Sequence, residues 1–168
     1  MEDEIGKFFK DGSLIQMSEI WEKAKAHDFE DLDEEKQRIA RIMLEHEDEL
    51  YKQFEHADLT YDPKANPDTG LDPFLHITIH SLVEAQLEDN DPLEVVQFFN
   101  SMRRKKYSRH DSIHLVGQIM TCLVFELLEH DKPFDWETYR KLLNKYKSCH
   151  PEKLMDLLEN CLLYTSPS

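Results

Sequence analysis

The chain has 168 residues, of which 40% are hydrophobic and 33% charged, and its formal net charge is -15. This length and composition predict a soluble protein with one sizeable core, and the acidic balance argues against nucleic acid as a partner. No apolar run is long enough to span a bilayer, and the N-terminus lacks the basic-then-apolar order of a signal peptide. We therefore expect no membrane association and a cytoplasmic location.

Good helix formers are abundant and glycine occurs only 4 times, which predicts an all-α fold. We expect a single-domain helical bundle of about six or seven helices over residues 1–160. The first helix is predicted over 13–27. A long amphipathic helix follows over 33–54, with Asp33 as its N-cap, and a loop rich in Pro, Gly and Asx residues follows over 55–72.

Helix starts are also marked in the second half of the chain. Asp-Pro pairs at 72–73 and 91–92 are typical of an N-cap followed by proline in the first turn. Ser108 and Asp111 have the spacing of a capping box, and the helix from there to His130 is apolar nearly all round, which predicts the central, buried helix. Asp135 should cap a further helix. The short links favour antiparallel neighbours.

Two histidine pairs form the main candidate site. His76 and His80 lie one helical turn apart and Glu84 continues their stripe, while His110 and His114 repeat the spacing on the predicted central helix. Side chains at i and i+4 can reach one ion. Neutral imidazole suits Zn, Fe or Ni, and a carboxylate ligand would extend the choice of metals to Mn. We predict a divalent-metal site of His76, His80 and His114, with Glu84 or His110 as a further ligand or orienting group.

Each part of this site also has a purely structural interpretation. His80 and Glu84 can form a surface hydrogen bond, His110 can be exposed in a first turn, and a buried His114 can satisfy a backbone carbonyl. The segment Glu45–His46–Glu49 could add ligands, although such residues more often form a solvated face.

Other catalytic signatures do not occur in the sequence, which has no Gly-rich phosphate loop, no His-Glu-x-x-His and no nucleophile elbow. Whether the protein is an enzyme stays open; if it is one, metal-assisted hydrolysis or a metal-redox step is the class to test. The alternative is a non-enzymatic, metal-free acidic module that binds a basic protein partner.

One basic run, residues 103–109 ("RRKKYSR"), interrupts the acidic chain. It can be the cationic end of a helix, which the helix dipole favours, or a docking site for phosphate or an acidic partner.

Four stretches carry a resemblance to a known family: "DPFLHITIHSLVEAQ", "DPLEVV", "SRHDSIHLVGQI" and "KPFDWETYRKLL". In order, over roughly residues 70–145, they resemble the bacterial family called domain of unknown function 1841. The resemblance implies histidines at the positions of His76, His80, His110 and His114, and Glu and Gln at Glu84 and Gln86. It also implies a helical bacterial protein, but no activity.

The last residues, 161–168 ("CLLYTSPS"), resemble the translation of a sequencing-library adapter. We expect this tail to be an artefact outside the domain. The alternative is a short helix end stopped by Pro167.

Overall fold

A computed structural model describes residues 14–48, 50 and 73–154 of the chain. Within these ranges the protein is all-α and contains no strand, as predicted. The helices are α1 (Leu14–Lys25), α2 (Glu34–Glu45), α3 (Pro73–Asp89), α4 (Leu93–Arg104), α5 (Arg109–His130) and α6 (Trp136–Tyr146), and residues 151–154 are also helical.

The described residues fall into two compact units, the first ending at Ser81 and the second beginning at Leu82. The predicted single domain over 1–160 stays a prediction. The tail at 161–168 and the predicted loop at 55–72 lie outside the described residues.

In the first unit, α1 packs against α2 around a core of buried apolar side chains. Asp33 is the N-cap of α2, as predicted, and its carboxylate accepts a 2.8 Å hydrogen bond from the Lys36 backbone N–H. The side-chain amide of Gln37 donates to the carbonyls of Phe29 and Leu32, which ties the α1–α2 link to α2. The core is made of Met17, Ile20, Trp21, Ala24, Leu32, Ile39, Ala40, Ile42, Met43 and Ile77.

The helix predicted over 33–54 is not continuous, because α2 ends at Glu45, and its predicted last residues, 51–54, lie outside the described residues. His46 is its C-cap, with φ -103° and ψ 9°, and helical residues resume at 47, 48 and 50. The Leu50 N–H donates to the His46 carbonyl at 3.0 Å. The helix is therefore interrupted at His46, although the apolar periodicity of the sequence continues through this position.

In the second unit, α4, α5 and α6 pack against one another. Ser108 caps α5 by accepting from the Asp111 N–H at 3.0 Å, and α5 is buried along much of its length, as predicted. The Tyr139 hydroxyl of α6 donates to the Gln86 side-chain carbonyl at 2.8 Å, and both residues are buried. Burial raises the pKa of Tyr139 far above its usual value of 10, so the phenol remains a donor.

Only one of the two helix starts predicted at Asp-Pro pairs can be compared with the structure, and its N-cap differs by one residue. α4 begins one residue later, with Pro92 rather than Asp91 as its N-cap. α3 begins at Pro73, and Asp72 lies outside the described residues. Asp135 caps α6 as expected, accepting from the Thr138 N–H at 3.0 Å. Among the described helices, none has both the length and the apolar character needed to cross a membrane.

Candidate metal centre

Three imidazole rings meet in the first unit: His46 from the end of α2, and His76 and His80 from α3. The ring centroid of His46 lies 5.0 Å from that of His76 and 5.4 Å from that of His80, and both pairs of rings meet edge to face. The centroids of His76 and His80 are 6.4 Å apart. Each ring offers a nitrogen, and these three nitrogens lie within 4.8 Å of one another. We call this group the histidine trio.

One hydrogen bond fixes the tautomer of His46. Its Nδ1 lies 2.9 Å from the Ile42 carbonyl oxygen, four residues back along α2. A carbonyl can only accept, so Nδ1 carries the proton and Nε2 of the neutral ring presents its lone pair. Histidines that bind metals are held in this way, with one ring N–H donated to a backbone carbonyl or carboxylate and the other nitrogen on the ion.

The lone pair of His46 faces a second ring nitrogen. Nε2 of His76 lies 3.2 Å from Nε2 of His46. Two imidazole nitrogens at the usual zinc–nitrogen distance, at tetrahedral angles, are separated by about 3.3 Å. The same distance also allows a hydrogen bond in which His76 donates. The pair therefore has a spacing that suits either one shared proton or one shared ion.

The trio is largely withdrawn from solvent. His46 and His80 are 5% and 2% exposed, and His76 is half-buried. Buried Ile42 and Ile77 are close to the trio in sequence, on α2 and α3. A buried polar ring needs a partner, and a metal ion can bind several such rings at once. Exposed Glu45 adds a carboxylate oxygen within 4.8 Å of a ring nitrogen of His80.

The contact of His46 with His76 and His80 is the part of this cluster that helix periodicity does not indicate. In an unbroken helix, His46 would continue the apolar stripe that contains Ile42 and Met43, because it follows them by four and three residues respectively. A histidine at a core position of an amphipathic helix is the signal that could have found it. Glu49, considered with it, lies outside the described residues.

The other predicted site residues belong to the second unit. The rings of His110 and His114 lie with their centroids 3.9 Å apart on the first two turns of α5. Glu84, on the second half of α3, is buried, and its carboxylate accepts a 3.1 Å hydrogen bond from the Arg109 guanidinium. That His110, His114 or Glu84 acts with His76 and His80 on one ion stays a prediction.

A family model described as a domain of unknown function (DUF1841) matches residues 15–145. The chain belongs to this family. The match covers all of α1 to α5 except the first residue of α1, and most of α6, so both histidine-bearing segments lie inside the family domain. No curated protein and no solved structure matches the chain.

Proposed function

We propose that the first unit of this DUF1841 protein binds one divalent transition-metal ion through His46, His76 and His80. The observation that carries the proposal is the pairing of His46 and His76. Their Nε2 atoms are 3.2 Å apart, while the opposite nitrogen of His46 is tied to a backbone carbonyl. This arrangement combines the ligand spacing of a metal site with the second hydrogen bond that orients a ligating imidazole.

The donor set favours particular metals. Three neutral imidazoles suit Zn, Fe, Ni and Cu, whereas Mg, Ca and Mn prefer oxygen ligands. The separation of the two nitrogens matches a tetrahedral site, which makes zinc the first ion to test. Iron and nickel are the next candidates, and manganese would need a carboxylate such as that of Glu84 or Glu45.

The number of ligands bears on the role of the ion. Structural zinc sites have four protein ligands, whereas catalytic ones have three and leave a position for water or substrate. The trio supplies three. If a water is the fourth ligand, metal-assisted hydrolysis is the reaction class to assay, and a redox-active ion would instead support electron transfer. If the predicted ligand His114 is the fourth, the site is closed and structural.

Metal content measured on the full chain, produced without a histidine tag, tests the proposal. We expect about one transition-metal ion per chain, and a cobalt-substituted sample with the visible absorption of a tetrahedral site. His46→Gln, His76→Gln and His80→Gln should each lose the ion. The matched control is His130→Gln, which removes an exposed histidine at the end of α5.

Three results would decide the remaining questions. A His114→Gln variant that loses the ion, or keeps it with an altered cobalt spectrum, would identify His114 as the fourth ligand. Retention with an unchanged spectrum would leave that position to water. A wild-type protein that holds no zinc, iron, nickel or copper after loading would end the metal proposal. It would favour the alternative, a metal-free acidic module that binds a basic protein partner.

A further inference from the structure

A surface cavity of about 300 Å³, open to solvent, lies in the second unit at the C-terminal ends of α4 and α6. All of its lining residues are polar, two are cationic and none is a carboxylate. This is unexpected in a chain with 35 acidic and 20 basic residues. The lining residues are Gln97, Asn100, Ser101, Arg104, Lys147 and Ser148.

Helix-terminal carbonyls at this position would repel an anion, but two of them already have donors. The Lys147 carbonyl accepts from the Ser101 hydroxyl at 2.6 Å and from the Lys105 ammonium at 2.9 Å. The same ammonium donates to the Cys149 carbonyl at 2.8 Å. Lys105 and Ser101 thus cap the end of α6, and Arg104 is not needed for that role.

The two cations of the cavity are not used elsewhere in the described structure. Within residues 14–48, 50 and 73–154, the Arg104 guanidinium and the Lys147 ammonium have no carboxylate partner. Charges interact most strongly at close range, so two cations lining one cavity create a local positive potential that acidic residues outside its lining only partly cancel.

We propose that this cavity binds the phosphoryl group of a small phosphate monoester. Arg104 offers the planar fork that matches phosphate oxygens, and Lys147 adds a point charge. The amides of Gln97 and Asn100 can exchange hydrogen bonds with hydroxyl groups on the rest of the ligand. A volume of about 300 Å³ is at the lower end for ligand sites, which suits a ligand of a few carbon atoms.

The basic run at 103–109 is thereby divided into separate roles. The Arg103 guanidinium donates to the Tyr107 carbonyl at 2.9 Å, Lys105 caps α6, and Arg109 pairs with Glu84. Among the residues of this run, Arg104 alone lines the cavity. The predicted phosphate contact thus narrows from a seven-residue surface patch to one guanidinium joined by Lys147 from a distant part of the chain.

A competing explanation is that Arg104 and Lys147 only stabilise the negative ends of their helices. That role would lower stability on substitution and would involve no ligand. Titration calorimetry of the full chain with glycerol 3-phosphate, inorganic phosphate and glycerol separates the two explanations. We expect saturable binding of glycerol 3-phosphate, weaker binding of phosphate, and none of glycerol.

Charge-matched variants locate the site. Arg104→Gln and Lys147→Gln should each weaken glycerol 3-phosphate binding by about tenfold to a hundredfold, the effect of losing one charge-assisted hydrogen bond. Lys106→Gln is the control, since Lys106 is an exposed cation of the same basic run that does not line the cavity. It should change the affinity by less than about twofold, because Lys106 does not line the cavity and cannot donate directly to a ligand there. Circular dichroism checks that each variant is folded.

The proposal does not depend on the histidine trio, and one addition keeps the two apart. Binding of glycerol 3-phosphate should persist with the neutral chelator 1,10-phenanthroline, which would remove a metal ion. Loss of binding with the chelator would overturn the cavity proposal and place the phosphate on a metal. Three other results would also overturn it. One is equal weakening in all three variants, which would indicate diffuse charge attraction. The others are an affinity for inorganic phosphate equal to that for glycerol 3-phosphate, and no binding of either.

Discussion

Replacing His46 with glutamine should abolish the stabilisation of this protein by zinc. The substitution keeps a polar side chain of moderate size but removes the imidazole ring, whose Nε2 lies 3.2 Å from His76 Nε2 and can bind a metal. Because a metal ion bound by the trio stabilises only the folded state, the protein should unfold at a higher temperature when zinc is present. The variant should lose this dependence.

The magnitude follows from mass action. At a free zinc concentration of about 100 times Kd, a single site adds ~2.7 kcal/mol to the free energy of unfolding. In a chain of this length, that corresponds to a rise in Tm of roughly 5 to 10 °C. Without metal, His46→Gln should itself cost about 1 kcal/mol, because the 2.9 Å hydrogen bond from Nδ1 to the Ile42 carbonyl is lost.

Differential scanning calorimetry of both proteins, with zinc and with chelator, measures the two effects separately. The zinc-linked shift is a difference within one protein, so the intrinsic cost of the substitution cancels. His130→Gln, at an exposed position, should keep the full shift. A His46→Gln variant that retained the wild-type shift would refute the role of the trio, even if the wild type binds zinc elsewhere.

Two further predictions concern stability without metal. Tyr139→Phe should lower the free energy of unfolding by about 1–3 kcal/mol in chemical denaturation, because it leaves the buried carbonyl of Gln86 without its 2.8 Å donor. A neutral result would show that another donor replaces the phenol. Asp135→Ala should cost about 1 kcal/mol at neutral pH through loss of the α6 cap. Hydrogen bonds from the Thr138 backbone and side chain hold the pKa of Asp135 below its ordinary 3.8. The cap therefore contributes fully above pH 3.8 and less as pH falls through the folded-state pKa, so wild type and variant should converge in acid.

Most helices could be predicted because their ends and faces are local properties of the sequence. Ser108, Asp33 and Asp135 are side-chain caps at which a helix begins, and each makes the expected hydrogen bond to the backbone. The continuous apolar character of α5 predicted its burial. The interruption of the predicted helix over 33–54 at His46 was missed because periodicity carries no signal for an ending without Gly or Pro. The break at His46 depends on backbone geometry that the sequence pattern does not contain.

The closeness of two rings of the histidine trio was predicted for the same reason. Spacing along one helix placed His76 and His80 together, since i and i+4 side chains share a face. It could not supply His46, which is distant in sequence and meets these rings only through tertiary packing. The cavity of Arg104 and Lys147 depends likewise on packing between two helices. A run of basic residues indicates charge but not which cation faces a cavity.

Glu84 shows how a shared helical face and a shared site can differ. Periodicity places it on the stripe of His76 and His80, yet its buried carboxylate is bound to Arg109 at 3.1 Å. Breaking that contact to reach a metal would lose a charge-assisted hydrogen bond to a buried carboxylate, which is costly. We therefore expect Glu84→Gln, which keeps the size of the side chain, to retain zinc in elemental analysis. Loss of zinc from this variant, with the fold intact by circular dichroism, would instead make Glu84 a ligand and shift the metal preference towards manganese.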